Sequence, residues 1–207
     1  PRHDPGGSQD PNDGGVDGFV AYKIRQDWPQ GYSRSTLDVR DLQATNAPAH
    51  ADLWRFVLDV DLIERVEAWS RPLDEPLLHL VREPRRLHAR MIDNLWVRLV
   101  DLEGALRARR YATDGRLVVR IADAFCPWNE GRFELEVSDG NATVARNPGA
   151  NADLACTVNE IGAVYLGGTT FRQLRRASRV EELADDSLAR ADAMFGWDPA
   201  PWSPYDF

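Results

Sequence analysis

The spacing of short strands between helices in the second half of the chain constrains its fold most strongly. Phe133, Leu135 and Val137 alternate with glutamates and therefore share one strand face. Asp139-Gly140 follows at once and predicts a hairpin turn. Further strands are predicted at 117–121, 142–145 and 154–158. One helix precedes them at 101–111, and three follow at 160–166, 171–178 and 188–195, capped by Asn159, Thr170 and Ser187. This order predicts an α+β domain with an antiparallel sheet covered by helices.

The first half of the chain has a different pattern. Residues 1–16 are rich in glycine and proline and are typical of a linker. Strands are predicted at 18–24, 37–42 and 63–69, and 87–100 is interpreted as two strands or one long bent strand. A helix begins near residue 48, capped by Thr45 or Asn46, and a shorter one covers 75–81. We interpret this half as a mixed α/β layer and place the boundary between domains 1–97 and 98–207.

The composition restricts the class of partner. The chain has 207 residues, of which 43% are hydrophobic, enough for one large domain or two small ones. Its net charge of -8 argues against a nucleic-acid partner and suits cationic partners such as amines. No apolar run approaches the roughly 18 residues of a membrane span, and no signal-peptide pattern is present. We therefore expect a cytoplasmic protein, although secretion is not excluded.

The candidate catalytic and metal-binding groups form no known motif. The four histidines lack metal-ligand spacing, so we expect no metal site. Cys126 and Cys156 are interpreted as buried thiols rather than a disulfide. Cys126-Pro127-Trp128 offers a nucleophile, but we favour a packed loop over the sheet because no histidine is near in sequence. A solvated helix face is favoured over an anion site for the cluster Arg172, Arg175, Arg176 and Arg179.

Coenzyme-binding loops are also missing from the sequence. A coenzyme A pyrophosphate loop needs free backbone N–H groups at the start of a helix. The nearest sequence, Arg146 to Asn151, contains a proline and is followed by no predicted helix. We therefore expect no acetyl-CoA site within this chain.

The last ten residues, 198–207, form an unusual tail. Three prolines stiffen it, and Trp202, Tyr205 and Phe207 carry large apolar side chains. Such a tail is expected to be pinned, which would hold the α-carboxylate of Phe207 at a defined place, where it can accept a proton or bind a cation. The alternative is that the aromatic residues merely close a core.

Five segments together carry a resemblance to a known family. They are 53–61 (LWRFVLDVD), 95–101 (LWVRLVD), 125–132 (FCPWNEGR), 165–168 (YLGG) and the tail 198–207. In this combination and order the chain resembles the C-terminal part of the enhanced intracellular survival (Eis) family of GNAT N-acetyltransferases, from about residue 18 onward.

The resemblance implies an architecture and an activity. Residues 1–97 would be a linker and a partial second GNAT-like domain without a coenzyme site, and 98–207 a sterol-carrier-protein-like α+β domain. The catalytic GNAT domain, which binds acetyl-CoA and acetylates amines such as aminoglycosides or lysine side chains, would be a missing N-terminal partner. This chain alone would be inert, and the intact protein a homo-oligomer, commonly a hexamer.

The resemblance also assigns roles to the tail. The α-carboxylate of Phe207 would be the proton acceptor in the catalytic domain, and Asp206 would contact the substrate ammonium. Two alternatives remain open. One is a lipid- or acyl-binding sterol-carrier-like module, which requires a hollow sheet face under Phe133, Leu135, Val137 and Leu154. The other is a purely structural interaction domain.

Overall fold

The computed structural model describes residues 15–204, and these residues divide into two compact units. The first comprises 15–71 and Glu75–Arg90, and the second comprises Pro72–Asp74 and 91–204. The division lies a few residues before the boundary predicted from the sequence, which stays a prediction. Residues 1–14 of the predicted linker at 1–16 lie outside the described residues.

A three-stranded sheet and one main helix build the first unit. Its elements are β1 (Gly18–Arg25), β2 (Ser35–Ala44), α1 (Ala47–Leu58), β3 (Ile63–Ala68) and α2 (Leu77–Leu80). The central strand β2 pairs antiparallel with β1 and parallel with β3. Its buried residues pack against α1 and α2 in one core, formed by Leu37, Val39, Leu42, Trp54, Val57 and Leu77. Asn46 caps α1 by accepting the N–H of Ala49, which confirms one of the two predicted caps.

The predicted strand or strands at 87–100 are wrong. The chain forms a 3-10 turn at Pro84–Leu87 and then an irregular segment, in which Met91, Ile92 and Trp96 are exposed. A strand needs a neighbour for its backbone hydrogen-bonding groups. Neither sheet of the described residues pairs with this segment, so its partial alternation produces no strand.

The second unit has five strands and four helices among the described residues. The elements are α3 (Leu102–Ala108), β4 (Gly115–Ala122), β5 (Gly131–Ser138), β6 (Asn141–Arg146), β7 (Leu154–Thr157), α4 (Val158–Val164), α5 (Phe171–Arg176), β8 (Glu181–Glu182) and α6 (Ser187–Phe195). The sheet order is β6-β5-β4-β7-β8.

The predicted antiparallel sheet needs one correction, because β7 runs parallel to β4. The chain leaves β6, passes β5 and returns to the far side of β4, where Leu154 pairs with Val119. Asp153 fixes this return: its N–H donates to Val118 O over 2.8 Å, and its carboxylate accepts the Val118 N–H over 2.7 Å. Strand direction depends on such distant contacts, which periodicity does not report.

Two predicted helix caps are also wrong. Thr157, not Asn159, caps α4, because the Glu160 carboxylate accepts the Thr157 N–H and completes a capping box. Ser187 is the first residue of α6 rather than its cap, and its hydroxyl donates to Asp153 O instead. The predicted cap at Thr170 is confirmed.

Side chains fill the inner face of the larger sheet. Phe133, Leu135, Val137 and Leu154 are all buried in one core with residues of α3, α4 and α6. The sheet face that the lipid-binding alternative needs to be hollow is therefore packed, which removes the structural support for that alternative.

Candidate functional site

The predicted site residues Asp206 and Phe207 lie outside the described residues, which end at residue 204. The structure does describe the stem that leads to them. This stem begins at Trp197, two residues after the end of α6, and continues through Pro201. The geometry of the stem is therefore the part of the candidate site that can be examined.

Two glycines after α4 form a seat for the stem. Gly167 has a φ of +91°, and a Cβ added there would lie 2.8 Å from the Cβ of Trp197. A Cβ on Gly168 would lie 2.8 Å from the Cγ of Pro201. Both distances are too short for carbon atoms, so the stem contacts this turn more closely than any side chain would permit.

A hydrogen bond from the backbone to a side chain holds the stem at a third point. The N–H of Ala200 donates to the Asp74 carboxylate over 3.2 Å. The tail is thus held at Trp197, Ala200 and Pro201 within the second unit. The expectation of a pinned tail has this support up to residue 201, while its final residues remain a prediction.

The loop that contains Cys126 has a structural role. Cys126 is fully buried, and its N–H donates to Asp123 over 3.0 Å. The Asn129 side-chain amide donates to Leu99 O and to Asp123, and its oxygen accepts the Leu102 N–H. This network ties the loop to the segment entering α3. The packed-loop interpretation therefore accounts for the position of Cys126, and a nucleophilic role does not.

Asp123 is the anionic centre of this network. Burial by itself raises the pKa of the Asp123 carboxyl, but hydrogen bonds from Asn129, from the Cys126 amide and from Arg98 outweigh it and lower the pKa to about 2. The Arg98 guanidinium lies 2.5 Å from Asp123 and over the exposed ring of Phe125. Asp123 thus stays ionised at any physiological pH and acts as an anchor rather than as a proton carrier.

Sequence reasoning missed a buried cluster in the first unit. The Glu75 carboxylate is buried and accepts hydrogen bonds from Trp54 Nε1 (3.1 Å), Arg71 Nε (2.9 Å) and the Leu77 N–H (3.2 Å). His50 Nε2 lies 2.8 Å from the same carboxylate. His50 and Trp54 lie one helical turn apart on α1, and this spacing predicts that their side chains share one helix face. Nothing in the sequence indicates that Glu75 contacts them.

The arginines on and just after α5 are solvated, as predicted. All four of Arg172, Arg175, Arg176 and Arg179 are exposed. Arg172 lies 3.8 Å from Asp192, and Arg179 is ion-paired with Glu160. Among the described residues, no group of three or more histidine, cysteine, aspartate or glutamate side chains is arranged to hold a metal ion.

Comparisons with known proteins match both halves of the chain. Residues 9–99 match the acetyltransferase (GNAT) domain family, and residues 102–204 match the sterol carrier protein domain family. N-acetyltransferase Eis of Mycobacterium tuberculosis is 31% identical over 191 residues, covering 86% of this chain and 46% of that protein. The crystal structure of Eis1 from Mycobacterium abscessus superimposes with a TM-score of 0.76 at 36% identity, over 92% of this chain and 48% of that one.

Both halves of the chain are thus similar to Eis-like GNAT N-acetyltransferases. An uncharacterized N-acetyltransferase of Streptomyces avermitilis is 42% identical over 195 residues. The aligned region covers 94% of this chain and 47% of that protein. The chain therefore spans about half the length of the Eis-like relatives that it matches. A GCN5-related N-acetyltransferase from Anabaena variabilis, at 21% identity and a TM-score of 0.73, shares the fold.

GNAT acetyltransferases use acetyl-CoA, and the start of α1 in this chain does not fit the coenzyme's phosphates. Anion binding at a helix start depends on free N–H groups. The Ala49 N–H is taken by the Asn46 side chain, and Pro48 has no N–H. The turn from Arg146 to Asn151 leads into β7 rather than a helix, and the Arg146 guanidinium donates to the backbone oxygens of Trp128 and Glu130. Neither segment offers a phosphate cradle.

No helix within the described residues is long and apolar enough to cross a membrane.

Proposed function

We propose that this chain works in an acetyl-CoA-dependent N-acetyltransferase of the Eis type, acting on amines such as aminoglycosides or lysine side chains. In this proposal the chain supplies a second GNAT-like domain, a sterol-carrier-like domain and the terminal carboxylate. A separate catalytic GNAT domain binds the coenzyme, and the chain alone is inert. The protein acts in the cytoplasm as a homo-oligomer, commonly a hexamer.

One observation carries the proposal: the tail stem is seated on Gly167 and Gly168 in a chain whose two halves both match Eis proteins. Holding the tail at three points costs conformational entropy. Such ordering is expected where the end of the tail has a function. The start of α1 and the turn after β6 do not fit the coenzyme phosphates, so neither segment is proposed as the coenzyme site.

The proposed chemistry of the tail is proton transfer. An amine substrate is an ammonium ion at neutral pH, and its nitrogen becomes a nucleophile only after it loses a proton. The α-carboxylate of Phe207 accepts that proton, directly or through a water molecule, while Asp206 holds the cation nearby. A free α-carboxyl has a pKa of about 3.3–3.7. Burial or the neighbouring charge of Asp206 must raise this pKa for the carboxylate to serve as a base.

Three tail variants of the complete gene product test the role of the carboxylate. Deleting Phe207 or adding one glycine after it moves the carboxylate by about 3.8 Å, one Cα step. Both variants should lower kcat about 10²–10⁴-fold in an assay of coenzyme A thiol release with a polyamine acceptor. Phe207→Leu keeps the carboxylate in place and is the matched control, with a small expected effect.

The readouts separate chemistry from assembly. The circular dichroism spectrum and the sedimentation coefficient should stay unchanged in all three variants. The sedimentation coefficient also reports the oligomeric state. Equal rates for the deletion, the glycine extension and the unaltered protein would refute the proton-transfer role and favour the structural interaction domain. Rapid thiol release by this chain alone would refute its proposed dependence on a separate catalytic domain.

A further inference from the structure

A cavity in the second unit lies where three helices end. Arg109 and Arg110 follow α3, Tyr165 and Leu166 follow α4, and Trp197 follows α6. These five residues line an open concavity of ≈ 260 Å³, which is the size of a small organic molecule. Trp197 also belongs to the tail stem, whereas the other four residues have no role in the proposed proton transfer.

Arg109 is an unusual wall residue because its charge is buried without a counter-ion. Only 9% of the residue is exposed. The guanidinium lies between two aromatic rings, 4.7 Å from the centroid of Tyr111 and 4.6 Å from that of Phe195. Nη2 donates to Phe195 O over 2.6 Å, whereas Nη1 is buried and has no hydrogen-bond partner.

No carboxylate among residues 15–204 forms an ion pair with Arg109. Burial is the main cause that lowers the pKa of Arg109, but a guanidinium keeps its proton in a protein. The carbonyl ends of α3, α4 and α6 converge here and offset much of this charge. The N–H groups on Arg109 Nη1 nevertheless have no acceptor, and a buried donor without an acceptor is costly.

The rest of the wall combines a reachable cation with apolar surface. Arg110 is exposed and donates one hydrogen bond to Asn141, which leaves other N–H donors of its guanidinium for a ligand. The Tyr165 hydroxyl already donates to Ala105 O over 2.9 Å, so its ring is the part available to a ligand. Leu166 and Trp197 are both partly exposed. A strongly hydrated ion such as phosphate gains little from such walls.

We propose that this cavity binds a carboxylate attached to an apolar body, such as an aromatic or short acyl carboxylate. The carboxylate contacts Arg110 beside the unsatisfied guanidinium of Arg109, and the apolar part lies against Leu166 and Trp197. Two sources have this chemistry. One is a free small molecule. The other is the chain's own end, where Asp206 and the α-carboxylate of Phe207 accompany aromatic residues.

Ligand-observed NMR and calorimetry on the full chain test the first source. Benzoate is the probe, benzyl alcohol its neutral counterpart and inorganic phosphate the hydrated anion. Benzoate alone should bind, and Arg110→Gln should weaken it at least about tenfold through the loss of a charge-assisted hydrogen bond. Arg116→Gln, which alters an exposed arginine on β4 outside the cavity, is the matched control and should leave binding unchanged.

A chain shortened to residue 204 tests the second source. Benzoate binding to the full chain indicates a free ligand. Binding that appears only after shortening, and that still requires Arg110, indicates that the tail carboxylates occupy the cavity, and it would count against their proposed role as proton acceptors in a separate catalytic domain. Either result supports the carboxylate site. No binding to either chain, or binding that benzyl alcohol matches or Arg110→Gln does not weaken, would overturn it.

A stability measurement provides a second test without any ligand. Leu166→Asp places a carboxylate in the cavity wall, and Leu166→Asn is its uncharged counterpart of the same size. If the cavity favours a carboxylate, the Asp variant should melt roughly 2–4 °C above the Asn variant at neutral pH and low salt. An Asp variant that melts at or below the Asn variant would contradict the proposed preference of this cavity for a carboxylate.

Discussion

Pro201 occupies the space that a side chain on Gly168 would need. A Cβ on Gly168 would stand 2.8 Å from Pro201 Cγ and 3.1 Å from Pro201 Cδ. The proline ring is rigid and cannot turn aside as a long side chain would. The glycine after α4 and the proline in the tail are therefore matched to each other, although 33 positions separate them in the sequence.

Gly168→Ala should release the tail stem without unfolding the second unit. The added methyl group pushes Pro201 away, which breaks the hydrogen bond from the Ala200 N–H to Asp74. Hydrogen exchange at Ala200 should become about tenfold faster, because an opened amide exchanges with solvent. Mass spectrometry of the peptide that covers the stem measures this rate.

Gly149→Ala is the control for this substitution, because only one atom, Asn147 Oδ1 at 3.8 Å, lies near its added Cβ. If Gly168→Ala leaves exchange at Ala200 as slow as in the unaltered chain, the stem is not seated on this turn.

Asp123→Asn should change how stability depends on pH. The folded-state pKa of Asp123 is about 2, below the value near 3.9 of an unfolded chain. A lowered pKa contributes stability that is fully present above about pH 4 and is lost as the pH falls toward 2. Asp123→Asn should therefore lower the urea midpoint at pH 6 and reduce its further fall between pH 4 and pH 2.

Asp139→Asn is the matched control, because Asp139 lies in the exposed hairpin turn with a φ of +53°, which asparagine tolerates. The control should follow the unaltered chain at every pH. If the urea midpoint of Asp123→Asn depends on pH in the same way as that of the control, the hydrogen bonds to Asp123 do not lower its pKa in the folded chain.

Trp54→Phe should destabilise the first unit by about 1–3 kcal/mol, the cost of losing a hydrogen bond to a buried carboxylate. The substitution keeps an aromatic ring in the core but removes the Nε1–H donor that Glu75 accepts. Urea unfolding followed by circular dichroism measures the difference. Trp69→Phe, at an exposed position on the same unit, should cost much less. Equal costs would show that the indole donor contributes nothing.

Neither cysteine should react readily with iodoacetamide in the folded chain. Burial, with a smaller contribution from Glu160, raises the pKa of the Cys156 thiol to about 12. At pH 8 this lowers the thiolate fraction about a thousandfold relative to a free cysteine. Cys126 is fully buried and therefore has no access to the reagent. Labelling measured by mass spectrometry should become rapid and complete for both thiols in about 6 M urea, where the chain is unfolded.

Rapid labelling of Cys126 in the folded chain would contradict this expectation and would support the interpretation of Cys126 as a nucleophile. Slow labelling of both residues, followed by full labelling in urea, would agree with two buried structural thiols.

The local elements were largely predictable, because they depend on neighbours in the sequence. Strict alternation from Phe133 to Val137 predicted β5, and Asp139-Gly140 predicted the turn into β6. Asn46 and Thr170 were recognised as caps because a cap bonds an amide two or three residues away. The family resemblance followed from ordered motifs in the same way.

Contacts between distant residues were not predictable. The parallel pairing of β7 with β4, the meeting of Glu75 with His50 and Trp54, and the unpaired charge of Arg109 join segments that periodicity treats separately. The candidate site divides in the same way: its tail was recognisable from composition, but its seat on Gly167 and Gly168 was not.

The sequence by itself therefore determined the helices, most strands, two caps and the family resemblance, since backbone propensity and side-chain period act over a few residues. Only the tertiary structure decided which strands run parallel, which buried charges find partners and what the tail rests on. Those outcomes depend on packing and desolvation, which are properties of surfaces brought together by the whole fold.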